Sequence, residues 1–107
     1  MPKYLFQVSY TNEGIAALVR TPQDRVKAIG PIIENLGGKY IDGGFSFGDH
    51  DVVFLASFPD NATAVAASMA FSAGGAVKTV KTTPLISTDE ALAAMKKAST
   101  AGYKPPM

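Results

Sequence analysis

A chain of 107 residues has room for one ordinary domain, and 47% hydrophobic with 18% charged residues is the composition of a folded protein, not a disordered one. The absence of cysteine excludes a disulfide scaffold, a thiolate zinc site and a cysteine nucleophile. Ten Lys plus Arg against nine Asp plus Glu leave a net charge of +1, too small and too dispersed for a nucleic-acid-binding face.

The first residues enter a strand pattern directly, without the apolar core and cleavage site of a signal peptide. The longest uncharged stretch, Asn61 to Val77, is interrupted by polar residues and two glycines and is too short and too polar for a membrane span. A cytoplasmic protein with no membrane and no nucleic-acid partner is expected.

From Lys3 to Tyr10 the chain alternates, with Tyr4, Phe6, Val8 and Tyr10 on one side, which is a β period. Thr11 or Asn12 can cap a short helical segment running to Val19. Thr21 is a second N-cap, with Pro22 at the first helical position. Val26, Ile29, Ile32, Ile33 and Leu36 then form an apolar stripe at helical spacing. Gly30-Pro31 predicts a kink or a break inside that helix, and Gly37-Gly38 its end.

Lys39 to Phe47 reads as a second strand, where Gly43-Gly44 suggests a bulge or a close approach by another backbone. Gly48-Asp49-His50 makes a turn into Asp51–Phe58, a strand apolar enough to lie centrally in a sheet. Asp60 or Asn61 caps a helix of small residues to Ala73, in which Val65, Met69 and the alanines are expected to pack closely. Ala76 to Thr83 is the fourth strand, limited by Pro84, and Lys78 and Lys81 suit a sheet edge. Ser87 and Glu90 form a capping box that opens a last helix to about Ala98.

Two βαβ halves joined by a tight turn predict an α+β, ferredoxin-like βαββαβ sandwich, with a four-stranded antiparallel sheet and an extra C-terminal helix. Residues 1–101 form the domain and 102–107, with Pro105-Pro106, a loose tail. Leu5 opposite Phe6, and Val52 and Phe54 opposite Val53 and Leu55, make the central strands apolar on both faces. A homo-oligomer of two, three or six copies would cover the face without helices.

Five segments resemble the GYD domain family: Pro2–Gly14, Leu36-Gly37-Gly38-Lys39, Phe47–Val53, Pro59-Asp60-Asn61 and Lys81–Leu85. Their order and spacing span Pro2 to Ile86. The family is similar to the dimeric α/β-barrel group, which implies a sheet-to-sheet dimer and space for a small organic molecule. In that wider group some members are isomerases or cofactor-independent oxygenases; the family itself names no reaction. His50 stands where the family's name-giving motif usually has tyrosine.

Asp49-His50-Asp51 is the one cluster suited to proton chemistry, since an imidazole between carboxylates can act as acid or base near neutral pH. A hairpin turn, with Asp51 capping backbone groups, is the commoner use of such a segment. One histidine supplies too few ligands for a metal, and no phosphate loop is present, so neither metal nor cofactor is expected. Tyr10, Phe6, Phe45, Phe47 and Phe54 could line a cavity for an apolar or aromatic ligand, although aromatics more often fill a core or an interface. Three functions compete: a small-molecule binding or sensing module, a dimeric α/β-barrel enzyme on a small hydrophobic substrate, and a purely structural oligomer.

Overall fold

The computed structural model describes residues 1–106. In chain order the elements are β1 (Lys3–Tyr10), α1 (Asn12–Arg20), α2 (Arg25–Asn35), β2 (Lys39–Phe45), β3 (Val52–Ser57), α3 (Asn61–Ala73), β4 (Val77–Leu85) and α4 (Thr88–Ala98). The four strands pair antiparallel in the order β2-β3-β1-β4. That is the ferredoxin-like arrangement, with the two most apolar strands in the middle and the lysine-bearing β4 at an edge.

The alternation in β1 sets the core. Tyr4, Phe6 and Val8 lie opposite Ala56, Phe54 and Val52 of β3, and all six are buried on the helix-bearing face. Phe6 and Phe54 stack with ring centroids 4.8 Å apart and planes 2° from parallel, and Phe58 meets Phe6 edge-on. α2 adds Ile29 and Ile33, and α3 adds Ala64 and Ala67 with half-buried Phe71. Residues 64, 67 and 71 share one helical face, so the closely packed side of α3 is alanine. Val65 (47% exposed) and Met69 (65%) point the other way, against the expectation that they pack inside.

Local chemistry explains the helix ends. α2 starts at Asp24, whose carboxylate accepts from the Lys27 amide at 3.0 Å, rather than at Thr21-Pro22. A carboxylate directly before the apolar stripe is the stronger cap, and the proline falls in the connection. The helix runs unbroken through Pro31. Gly30 eases this, because part of the clash between a proline ring and the preceding residue involves a Cβ, which glycine lacks. α2 ends in a Schellman motif: Gly37 has φ +79°, and the amides of Gly37 and Gly38 donate to the carbonyls of Glu34 (2.9 Å) and Ile33 (3.0 Å).

In β2 the register shifts between Tyr40 and Asp42, so the bulge precedes the two glycines. Gly43 instead serves close approach: a Cβ there would lie 2.5 Å from the Phe54 Cβ and from the Val53 carbonyl. β4 runs past Thr83 to Leu85, with Pro84 opposite Tyr4. An edge strand tolerates a proline whose missing N–H faces outward.

The helix-free face carries Leu5, Val53 and Leu55, each half-buried, between polar flanks of Gln7, Lys81 and Thr83 on one side and Asp42 on the other. The radius of gyration is 17.2 Å, above the ~13 Å of a compact 100-residue domain. α4 follows the Ser87 cap as the sequence predicts, but none of its residues is buried, and Leu92 and Met95 are exposed.

Candidate functional site

The Asp49-His50-Asp51 segment is the tip of the β2–β3 hairpin, tied to the end of β1. The Ser46 amide donates to the Asp51 carbonyl (2.9 Å) and the Asp51 amide to the Val8 carbonyl (2.8 Å). Asp51 Oδ2 accepts from the Tyr10 amide at 2.8 Å, bracing β1 rather than capping its own strand. His50 Nδ1 lies 3.2 Å from Ser9 Oγ, and the same hydroxyl reaches the Asp49 carbonyl at 3.2 Å. The imidazole therefore meets a hydroxyl, while Asp51 is engaged by a backbone amide and Asp49 is exposed. Among the described residues no three His, Cys, Asp or Glu side chains gather as a metal site would require, and no helix is long and apolar enough to cross a membrane.

The five aromatic residues separate. Phe6 and Phe54 are in the core, 0% and 1% exposed, and stack on each other. Phe45 and Phe47 are 54% and 106% exposed near the hairpin tip. Tyr10, at the end of β1, lines a cavity.

That cavity, about 330 Å³, lies between the sheet and the first three helices. Val8 and Tyr10 of β1, Val52 of β3 and Val77 of β4 form its floor; Ala17 and Leu18 of α1, Ile29 and Ile32 of α2, and Ala70 and Phe71 of α3 form its walls. Small residues make the room. Gly14 lets α1 lie against the start of β4, where a Cβ would be 2.5 Å from the Ala76 carbonyl. That carbonyl also accepts from the Thr11 amide at 2.8 Å, fixing where the chain leaves β1. Ala17, Ala70 and Gly74 leave the opposite walls thin.

Three polar side chains reach the cavity: Tyr10, Gln23 and Arg25. Arg25 Nη1 donates to Gln23 Oε1 at 3.0 Å, and Gln23 Nε2 donates to the Thr21 carbonyl at 3.3 Å. Burial pushes the Tyr10 phenol above its ordinary pKa; the Arg25 guanidinium beside it pulls the other way, and the Asp51 carboxylate adds a smaller upward push. Sequence reasoning found Tyr10 but not Gln23 or Arg25. Both sit in a short connection and first helical turn with no motif around them, and only the fold brings them to the end of β1.

A second, larger recess of about 760 Å³ lies at the opposite end, among Lys3, Tyr4, Asn61, Ile86 and Glu90. There the Tyr4 hydroxyl donates to Asn61 Oδ1 at 2.7 Å. Its lining is more polar, so the helix-side cavity is the better apolar site.

Comparison with curated proteins and with solved structures finds no match. The family model of the GYD domain matches residues 4–95, from the first core tyrosine of β1 into α4, and the chain belongs to the GYD domain family.

Proposed function

We propose that this protein is a homo-oligomeric small-molecule binding or sensing module whose ligand occupies the cavity between sheet and helices. The observation that carries this reading is the cavity itself: about 330 Å³, walled mainly by aliphatic side chains, with Tyr10, Gln23 and Arg25 as its polar groups. Binding sites commonly pair an apolar cleft, here open to solvent on one side, with a few polar groups. Its volume is roughly twice the ~150 Å³ that holds one benzene in an apolar core. Binding is favoured over catalysis because the groups reaching the cavity include no acid–base pair suited to neutral pH, and His50 does not line it.

Assembly rests on the other face of the sheet. Leu5, Val53 and Leu55 form an apolar strip on the two central strands, and a second copy covering it would remove that strip from water. Native mass spectrometry should show more than one subunit for the wild type and a monomer for Leu55→Lys; a monomeric wild type refutes assembly.

A thermal-shift screen of small apolar and aromatic compounds tests the cavity. A ligand at 100 times its Kd stabilises by about 2.7 kcal/mol, a shift easily read in a domain of this size. The shift should disappear in Ala17→Phe, which fills one wall. If no compound shifts the melt, or Ala17→Phe responds like the wild type, the reading fails.

A further inference from the structure

We infer that the helix-side cavity takes a small carboxylic acid with an apolar, ring-sized body, its carboxylate held by Arg25 at the mouth. The inference rests on the cavity being a binding site and adds the class of ligand.

The charge on the lining carries the argument. Among the described residues that bound the cavity, Arg25 is the one charged side chain. Its neighbours there are neutral: it donates to Gln23 Oε1 at 3.0 Å and lies beside the Tyr10 phenol. A guanidinium has five N–H donors in a planar fork, and Gln23 accepts from one nitrogen. The Tyr10 phenol also engages the guanidinium, and the donors that neither residue uses suit the oxygens of a carboxylate.

Asp24 and Asp51 adjoin these groups, and each accepts a backbone amide while keeping its charge. Asp24, preceding Arg25, caps α2 through the Lys27 amide at 3.0 Å. Asp51, behind Tyr10, accepts the Tyr10 amide at 2.8 Å. Neither lines the cavity, so an incoming anion meets one cation and no carboxylate in the wall.

Tyr10 adds a neutral donor. Its phenol keeps its proton well above neutral pH because burial favours the uncharged form. The O–H can therefore donate to the same anion that Arg25 pairs with. A phosphate would call for more cationic partners than a single guanidinium, whereas a carboxylate is matched by it. Behind these groups the lining is aliphatic and aromatic, with Leu18, Ile32 and Phe71 offering accessible surface on which a ring can pack.

The test compares 3-phenylpropanoate with its neutral isostere 3-phenylpropanamide by isothermal titration calorimetry at neutral pH, in the wild type, Arg25→Gln and Ala17→Phe. The acid should bind the wild type on the order of tenfold more tightly than the amide, as an added charge-assisted pair implies. In Arg25→Gln that ratio should fall to near one, and in Ala17→Phe both affinities should drop together. Equal affinity of acid and amide for the wild type, with both still lost in Ala17→Phe, overturns the anion assignment and leaves the cavity as a site. A ratio unchanged in Arg25→Gln also overturns it. Binding of neither probe, or binding indifferent to Ala17→Phe, removes the cavity reading and this inference with it.

Discussion

Gly14 and Gly74 make opposite predictions for the same substitution. Gly14 lies inside α1, where replacing glycine by alanine ordinarily stabilises by ~1 kcal/mol. Here the new Cβ would sit 2.5 Å from the Ala76 carbonyl oxygen, about 0.9 Å inside the 3.4 Å at which ordinary contact begins. The neighbour is backbone and cannot swing aside. α1 must shift, and the 2.8 Å bond from the Thr11 amide to that same carbonyl is stretched with it. Overpacking costs about 1–3 kcal/mol and a weakened hydrogen bond ~1 kcal/mol, so after the propensity gain Gly14→Ala should lose about 1–3 kcal/mol. Gly74, at the end of α3, has φ −70°, and its nearest Cβ neighbour would be the Phe71 carbonyl oxygen at 3.6 Å. Gly74→Ala should therefore gain about 0.4–1 kcal/mol by restricting the unfolded chain. Urea unfolding with unchanged slope would report both as midpoint shifts of opposite sign. A Gly14→Ala protein as stable as the wild type would refute the close approach of α1 to β4 that bounds the cavity.

Three further outcomes follow from the packing and the titrating groups. Phe54→Ala removes the stacked partner of Phe6 and should cost about 3–5 kcal/mol, seen as a large fall in the urea midpoint. Tyr10 has its folded pKa raised by burial, so the stability it contributes is full below the unfolded value and is lost as pH rises through the folded one. Tyr10→Phe should therefore flatten the alkaline limb of a stability–pH profile, to which Tyr40, also raised by burial, still contributes. Asp60 is lowered by hydrogen bonds from the Thr63 hydroxyl and amide. Its contribution is present above the ordinary carboxylate value and is lost as pH falls through the lowered one. The deficit of Asp60→Ala at neutral pH, measured by thermal denaturation, should disappear in acid.

Element order, sheet topology and most helix caps were legible because each rests on a local pattern. The two-residue period of β1, the Ser87–Glu90 box and the Gly37-Gly38 stop declare themselves within a few positions. Errors arose where two local rules competed. Thr21-Pro22 read as a helix start, and the carboxylate of Asp24, nearer the stripe, caps the helix instead. Gly30-Pro31 read as a kink or a break, and the helix continues through it without a break. In α3 the size scale misled, since the inward face is built of alanines and the larger Val65 and Met69 lie outside. The turn at His50 was readable, but the reach of Asp51 to the Tyr10 amide joins residues 41 positions apart. The cavity was least legible. It is made by small residues on separate elements, and its cation opens α2 with no motif around it, so no single window of sequence shows it.

An 11-residue helix with no buried side chain is shorter than the ~12–15 residues at which isolated helices become even marginal in water. The Ser87 cap, the acids of its first turn and the lysines of its last favour α4, but they do not replace packing. Alone, α4 should exist as a helix–coil equilibrium that drifts with temperature ahead of the cooperative melt of the sandwich. Anything that covers Leu92 and Met95 would draw that equilibrium toward helix. The ellipticity of the chain thereby becomes a gauge of its company: constant on dilution if α4 stands free, and falling on dilution if a second copy holds it.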